Sequence, residues 1–217
     1  MTIKCIDYYG LVYFLKHIQA DEETAEQVIT KGVPDKVVLL KDSKPYWRTE
    51  VFPAYKANRV SIPDPAFRYY TQMLEEDFSY IPLLSTTGLE ADDLAGLVCR
   101  LSPGKERIVL LTSDSDWLQL VDDSRKIVWS NFRSYPNHIW DESRVKSKVV
   151  GKEGNWISHP KDLAIIKYMK GDRSDNIPPQ LPDYDLVSLQ GQGWYNSLNA
   201  AGIDVKVVEQ EITDLLF

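Results

Sequence analysis

Nine carboxylates in this 217-residue chain are placed where chemistry could be done, and they come in short clusters rather than singly. Gly88-Leu-Glu-Ala-Asp-Asp-Leu94 sets Glu90 and Asp93 three residues apart, on one face of a starting helix, with Asp92 turned about 100 degrees away. Thr112-Ser-Asp-Ser-Asp-Trp117 offers Asp114 and Asp116, which project to the same side if the backbone is extended and form an ordinary Asx turn if it is not. Gly171-Asp-Arg-Ser-Asp-Asn176 adds Asp172 and Asp175, and Asp7 and Asp42 each close a short apolar run. Taken one at a time, these are caps, solvated turns or acids that complement a helix dipole. Taken together at one end of a fold, they repel one another unless cations lie between them. Hard oxygen donors without histidine or thiolate suit magnesium, with manganese as a substitute, rather than zinc. Two such ions between carboxylates serve phosphodiester hydrolysis, and a phosphate substrate is the implied partner.

The complementary charge lies in Trp47-Arg48-Thr-Glu-Val-Phe-Pro-Ala-Tyr55-Lys56-Ala-Asn-Arg59. In a helix, Lys56 and Arg59 would form a cationic patch beside Tyr55, suited to a backbone phosphate and a stacked base; a solvated face is the plainer reading. Asp64 then reads as an N-cap and Pro65 as a first helical residue, and Phe67, Tyr70, Leu74 and Phe78 make a stripe better spent on core packing.

The elements that must position these groups alternate. Apolar runs at Ile3–Ile6, Lys36–Lys41, Ile81–Leu84, Ile108–Leu111 and Ile127–Trp129 have strand length, and helical periodicity lies between them. Leu11, Phe14, Leu15 and Ile18 follow the first strand; Asp21 caps a second helix that Gly32 stops; a third begins near Glu90. Strands alternating with helices predict an α/β fold with a mostly parallel sheet covered on both faces, whose ligand site lies beyond the carboxyl ends of the strands. Lys161 to Lys170 reads as a helix closed by Gly171, and the turn-rich stretches 177–182 and 190–193 follow. The expected division is a core over residues 1–160 and a small helical appendage over 161–217. In the appendage, Glu211 to Phe217 reads as a final amphipathic helix, with a tail for docking a replication partner as the weaker reading.

Composition bounds the rest. With 43% hydrophobic residues the chain can bury a substantial core, and no apolar run is long enough for a membrane span. Two cysteines, Cys5 and Cys99, supply neither a disulfide framework nor a zinc cage, so a reducing, cytoplasmic setting is expected. The net charge of -7 argues at first against nucleic acid, but once the nine clustered acids are set aside the remaining balance is mildly basic.

Four strings in order resemble the metal-dependent 5′ nucleases, a family of flap endonucleases, phage 5′-3′ exonucleases and the 5′-nuclease domain of family-A DNA polymerases. They are Tyr55-Lys-Ala-Asn-Arg59 with Ile62-Pro-Asp64, Gly88-Leu-Glu-Ala-Asp-Asp-Leu94, Thr112-Ser-Asp-Ser-Asp-Trp117 and Gly171-Asp-Arg-Ser-Asp-Asn-Ile-Pro178. The resemblance implies a PIN-like core with a helical arch at about 48–78. Its metal cluster would be Asp7, Asp42, Glu90, Asp92 and Asp114 or Asp116, completed by Asp93, Asp172 and Asp175. Lys56 and Arg59 would contact the scissile phosphate, with Arg48 and Tyr55 as further substrate contacts. The implied activity is magnesium-dependent hydrolysis at DNA 5′ ends or flaps in replication or recombination, RNA primers included, with host cytoplasm as the setting for a phage enzyme. A DNA-structure-binding accessory protein with an unproductive pocket, or a PIN-type ribonuclease, is the alternative. Among the features that depart from the family, the interval from Asp7 to Asp42 is short, so the glycine-containing loop that helps hold duplex is abbreviated; Tyr8-Tyr9 follow the first aspartate; and Pro178-Pro-Gln-Leu-Pro-Asp-Tyr-Asp185 stands where a glycine hairpin would bind duplex DNA with potassium, which puts potassium in doubt.

Overall fold

A computed structural model describes residues 1–44, 46–59, 64–153, 159–163, 171–178, 196 and 198–217. Five strands, β1 (Thr2–Asp7), β2 (Lys36–Leu40), β3 (Leu83–Leu84), β4 (Arg107–Leu111) and β5 (Ile127–Ser130), form one sheet in the order β3-β2-β1-β4-β5. Every pairing is parallel, with Asp7 opposite Leu40 and Ile6 opposite Leu111. The sheet is therefore the expected α/β arrangement. The described helices are α1 (Tyr8–Ile18), α2 (Glu22–Thr30), α3 (Tyr46–Val51), α4 (Pro65–Glu76), α5 (Ala91–Leu101), α6 (Glu142–Glu153) and α7 (Val205–Leu216), with short 3-10 helices at Ser115–Leu120 and Asp123–Arg125.

Because successive strand residues point to opposite faces, β1, β2 and β4 divide their apolar side chains between two layers. Ile3, Cys5, Val38, Leu40, Ile108 and Leu110 pack with Leu94, Val98, Val208 and Ile212 of α5 and α7. Ile6, Leu39, Val109 and Leu111 pack with Leu11, Leu15, Ile29, Tyr70 and Leu74 of α1, α2 and α4. The stripe Tyr70, Leu74 and Phe78 is thus core, as its spacing suggests, and Asp64 caps α4 by accepting from the Phe67 amide. The C-terminal segment reads as a helix and is one: Val205, Val208, Ile212 and Leu216 are buried, so the apolar face of α7 is spent on this core.

Two expectations change. The strand expected over Ile81–Leu84 pairs only at Leu83 and Leu84, because Pro82 has no amide to donate; its carbonyl still accepts from Leu39 N at 2.9 Å. Lys4, inside an otherwise apolar β1, is fully buried, and its Nζ donates to the carbonyls of Ile29 (2.7 Å) and Lys31 (2.5 Å) at the end of α2. Burial, with a smaller push from Lys31, lowers its pKa to about 8. The helix expected over 161–170 is described only at 161–163, and the segments 179–185 and 190–193 lie outside the described residues. No helix among the described residues is long and apolar enough to cross a membrane.

Candidate active site

The chain runs outward from β1 to β2 and β3 and then crosses back to β4 on the other side of β1, so the switch point lies at the carboxyl ends of β1, β2 and β4. Asp7 ends β1 and caps α1: Oδ1 accepts from Gly10 N at 2.9 Å and Oδ2 from Thr112 Oγ1 at 2.6 Å. A Cβ at Gly10 would lie 2.4 Å from Asp7 Oδ2, so only glycine lets the carboxylate sit there. Burial raises Asp7 to about 6; the Thr112 and Gly10 hydrogen bonds oppose the rise, and the nearby Asp42 and Asp114 charges add to it.

Asp42 follows β2, and its Oδ1 accepts from Ala91 N at 2.6 Å, one of the first unpaired amides of α5. Burial pushes its carboxyl up despite that bond, and Glu90 pushes in the same direction. At the start of α5 the acids divide as their spacing requires. Asp92 stays exposed, and its Oδ1 accepts from the Trp117 indole at 2.6 Å. Carboxylate oxygens of Asp92, Asp114 and Asp116 all lie within 4.8 Å of one another. Burial raises Asp92 to about 8; the Trp117 bond opposes this, and the charges of Asp114, Asp42 and Asp116 reinforce it.

Asp114 and Asp116 adopt the turn rather than the extended alternative, with Asp116 N donating to Asp114 Oδ1 at 2.8 Å. Thr112, fully buried, accepts from Asp114 N at 2.9 Å while donating to Asp7, so one hydroxyl ties the ends of β1 and β4. Nothing in the sequence reading gave Thr112, Trp117 or Gly10 a role. Gly10 stands three residues from the acid it holds, whereas Thr112 and Trp117 hold acids 105 and 25 residues away, which no local pattern marks.

Glu90 and Asp93 face the other way and meet the basic segment. Arg48 Nη2 donates to Asp93 Oδ1 at 2.6 Å, Lys56 Nζ to Glu90 Oε1 at 2.6 Å, and the Tyr55 hydroxyl to Glu90 Oε2 at 2.7 Å. Burial and then the Glu90 charge drive the Tyr55 phenol well above its ordinary pKa, so it stays a donor. Trp47 fixes the approach by donating from its indole to the Gly88 carbonyl at 3.0 Å.

Lys56 and Arg59 do not share a helix as their spacing suggested. Residues 53–58 form turns, Lys56 has a φ of 54, and the segment packs on 172–176. Arg59 pairs with Asp175 at 2.5 Å, while Asp172 Oδ1 accepts from Ser174 N at 2.8 Å within its own loop. The nine acids are therefore arranged as a tight group of three flanked by Asp7 and Asp42, a pair held by Arg48 and Lys56, and a loop carrying Asp172 and Asp175.

Residues 15–150 match the model of the 5′-3′ exonuclease N-terminal resolvase-like domain. The chain belongs to this family. Among relatives of this 5′-3′ exonuclease-family chain, DNA polymerase I of Chloroflexus aurantiacus is 31% identical over 151 residues, covering 67% of this chain and 15% of that protein. A protein of Buchnera aphidicola subsp. Schizaphis graminum named 5′-3′ exonuclease is 27% identical over 162 residues, 72% of this chain and 52% of its own length. The chain thus spans about half the length of that free-standing relative. Among solved structures, the bacteriophage T5 flap endonuclease complex with DNA and metal ions superposes with a TM-score of 0.68 at 20% identity, over 97% of this chain and 79% of that one. At that identity the likeness is one of fold, and it places this sheet and its helices in the T5 nuclease architecture.

Proposed function

We propose that this chain is a divalent-metal-dependent 5′ nuclease that hydrolyses phosphodiester bonds at DNA 5′ ends and flaps. The observation that carries this reading is the group formed by Asp92, Asp114 and Asp116, whose oxygens lie within 4.8 Å of one another. The charges acting most on Asp92 are three further carboxylates, which is an arrangement that a hard cation relieves. The relatives named 5′-3′ exonuclease and flap endonuclease support the same reading.

The donor set fits magnesium or manganese. Asp92, Asp114 and Asp116 would hold the ions, two in number, with Asp7 and Asp42 beside them; Glu90, Asp93, Asp172 and Asp175 complete the acidic surround. Bound divalent ions supply Lewis-acid neutralisation of the phosphate and favour ionisation of water near neutral pH. The side chains of the protein do the rest. Thr112, Gly10 and Trp117 hold carboxylates in place. Lys56 and Arg59, resting on Glu90 and Asp175, are the cations available to exchange those partners for a scissile phosphate, and Arg48 and Tyr55 set the position of that edge. The proposed division is a nuclease core over residues 1–160, with the arch built on 48–78, and a C-terminal region over 161–217 whose α7 packs on that core. RNA primers fall within the same substrate class, and any replication partner would have to use the outward side of α7.

End-labelled flapped, nicked, blunt and single-stranded substrates incubated with magnesium or manganese test the reading. Cleavage at 5′ ends that Asp114→Asn abolishes without loss of fold is expected. A mobility shift on flapped DNA without product in either metal points instead to an accessory binding protein. Preferential cleavage of single-stranded RNA points to a ribonuclease.

A further inference from the structure

The turn that carries Lys56 is held by a loop about 115 residues further along the chain. Three donors in the turn take three consecutive carbonyls of that loop: Asn58 Nδ2 reaches Arg173 O at 3.0 Å, Arg59 Nε reaches Ser174 O at 3.3 Å and Lys56 N reaches Asp175 O at 2.9 Å. The loop answers with Asn176 Nδ2, which donates to Ala54 O at 2.9 Å. Its own ends are closed by Asp172 and Ile177, which exchange backbone hydrogen bonds of 2.8 and 2.7 Å.

Both partners adopt left-handed backbone, Lys56 with a φ of 54 and Asn176 with a φ of 60. Asparagine tolerates that region, but a lysine has no local reason to adopt it and keeps it only where bonds on either side over-determine it. Bonds through Ala54 O, Lys56 N and the Asn58 amide flank Lys56 on both sides, and its ammonium sits on Glu90 Oε1 and over the Tyr55 ring. Both asparagine amides donate to backbone carbonyls, of Arg173 and Ala54, rather than to a carboxylate. What they control is the backbone that aims Lys56.

We infer that Asn58 and Asn176 are positioning residues, forming a clasp that fixes the Lys56 turn at the edge of the acidic site. This inference rests on the proposed nuclease reading for its catalytic consequence, but not for the clasp itself. Asn176→Gly keeps the left-handed backbone while deleting the amide donor, and Asn58→Ala deletes the other. Each is expected to slow single-turnover cleavage of 5′-flapped DNA by about tenfold, with affinity measured in calcium changed by less than about threefold, since misplacing a group costs turnover before it costs binding. In a Lys56→Ala background neither substitution should slow the reaction further, because both act through that lysine. A drop of the same size in that background, or none in the wild-type background, overturns the positioning role.

A second readout needs no nuclease activity. With melting temperatures matched, trypsin should cut after Lys56 and Arg59 faster in both variants than in the wild type, because the turn is released. Unchanged cutting overturns the clasp. A wild-type protein that fails to cleave any substrate defeats the nuclease reading and leaves the trypsin comparison to decide the clasp alone.

Discussion

Replacing Asp92 by asparagine should stabilise the metal-free protein while destroying the site it belongs to. Asp92 is held at a pKa of about 8 against an ordinary 3.8, mainly by burial, with Asp114, Asp42 and Asp116 adding repulsion. Because the folded value lies above the unfolded one, the folded state keeps a proton that the unfolded chain releases. The carboxyl therefore costs more stability as pH climbs from 3.8 to about 8, and that cost fades as pH falls. Asp92 is nevertheless exposed in the structure, so solvent screens most of this repulsion, and the expected gain at alkaline pH is about 1 kcal/mol. Asparagine still accepts from the Trp117 indole, and its amide offers donors to the facing carboxylates, so little is lost in exchange. For a chain of this size that gain corresponds to a melting temperature about 2–4 °C higher. The assay is thermal unfolding in EDTA at pH 8 and at pH 5.5, repeated with magnesium. Asp92→Asn should melt higher than wild type at pH 8, with a smaller margin at pH 5.5, and magnesium should raise the wild type alone. A variant that melts at or below wild type in EDTA at pH 8, or that responds to magnesium as the wild type does, refutes the reasoning.

Gly10→Ala drives a Cβ against Asp7 Oδ2, and should cost about 1–3 kcal/mol in denaturant unfolding and lower cleavage more than about tenfold; normal activity would show that Asp7 has room to move. Trp117→Phe removes the donor to Asp92 and should weaken magnesium binding by about tenfold, read as the concentration giving half-maximal thermal stabilisation. Lys4 has a folded pKa of about 8, below its ordinary 10.5, so the folded state sheds its proton first and stability should rise by about 1–3 kcal/mol between those pH values. Lys4→Met should abolish that slope, and a slope that survives would assign it to another group.

Much of this architecture is legible in the residues. Apolar runs mark all five strands, and placing Asp7, Asp42 and Asp114 at their carboxyl ends follows from the rule for parallel sheets. The split of Glu90 and Asp93 from Asp92 follows from helical spacing alone. What faces each side does not, because Arg48 and Trp117 come from segments 45 and 25 residues away. The Lys56 turn is not legible in local spacing, because its conformation is imposed by carbonyls of residues 173–175. Pro82 was in plain view and shortens β3 by the loss of one amide. Lys4 interrupts an apolar strand, and its charge marks the one place on β1 where carbonyls, not side chains, wait on the other side.

The place of β1 at the centre of the sheet has a consequence for how the protein is made. It is translated first, yet its second neighbour, β4, begins at Arg107, and the Thr112 bond that fixes Asp7 spans 105 residues. Closing so long a loop is slow compared with forming the helices on the way. A ribosome that has delivered β1 and β2 but not β4 therefore displays an unpaired strand edge in the middle of the future sheet, where chaperones and premature association compete for it. Over the same interval the acidic group lacks Asp114 and Asp116, so the carboxylates that repel one another are brought together only when the last inner strand docks.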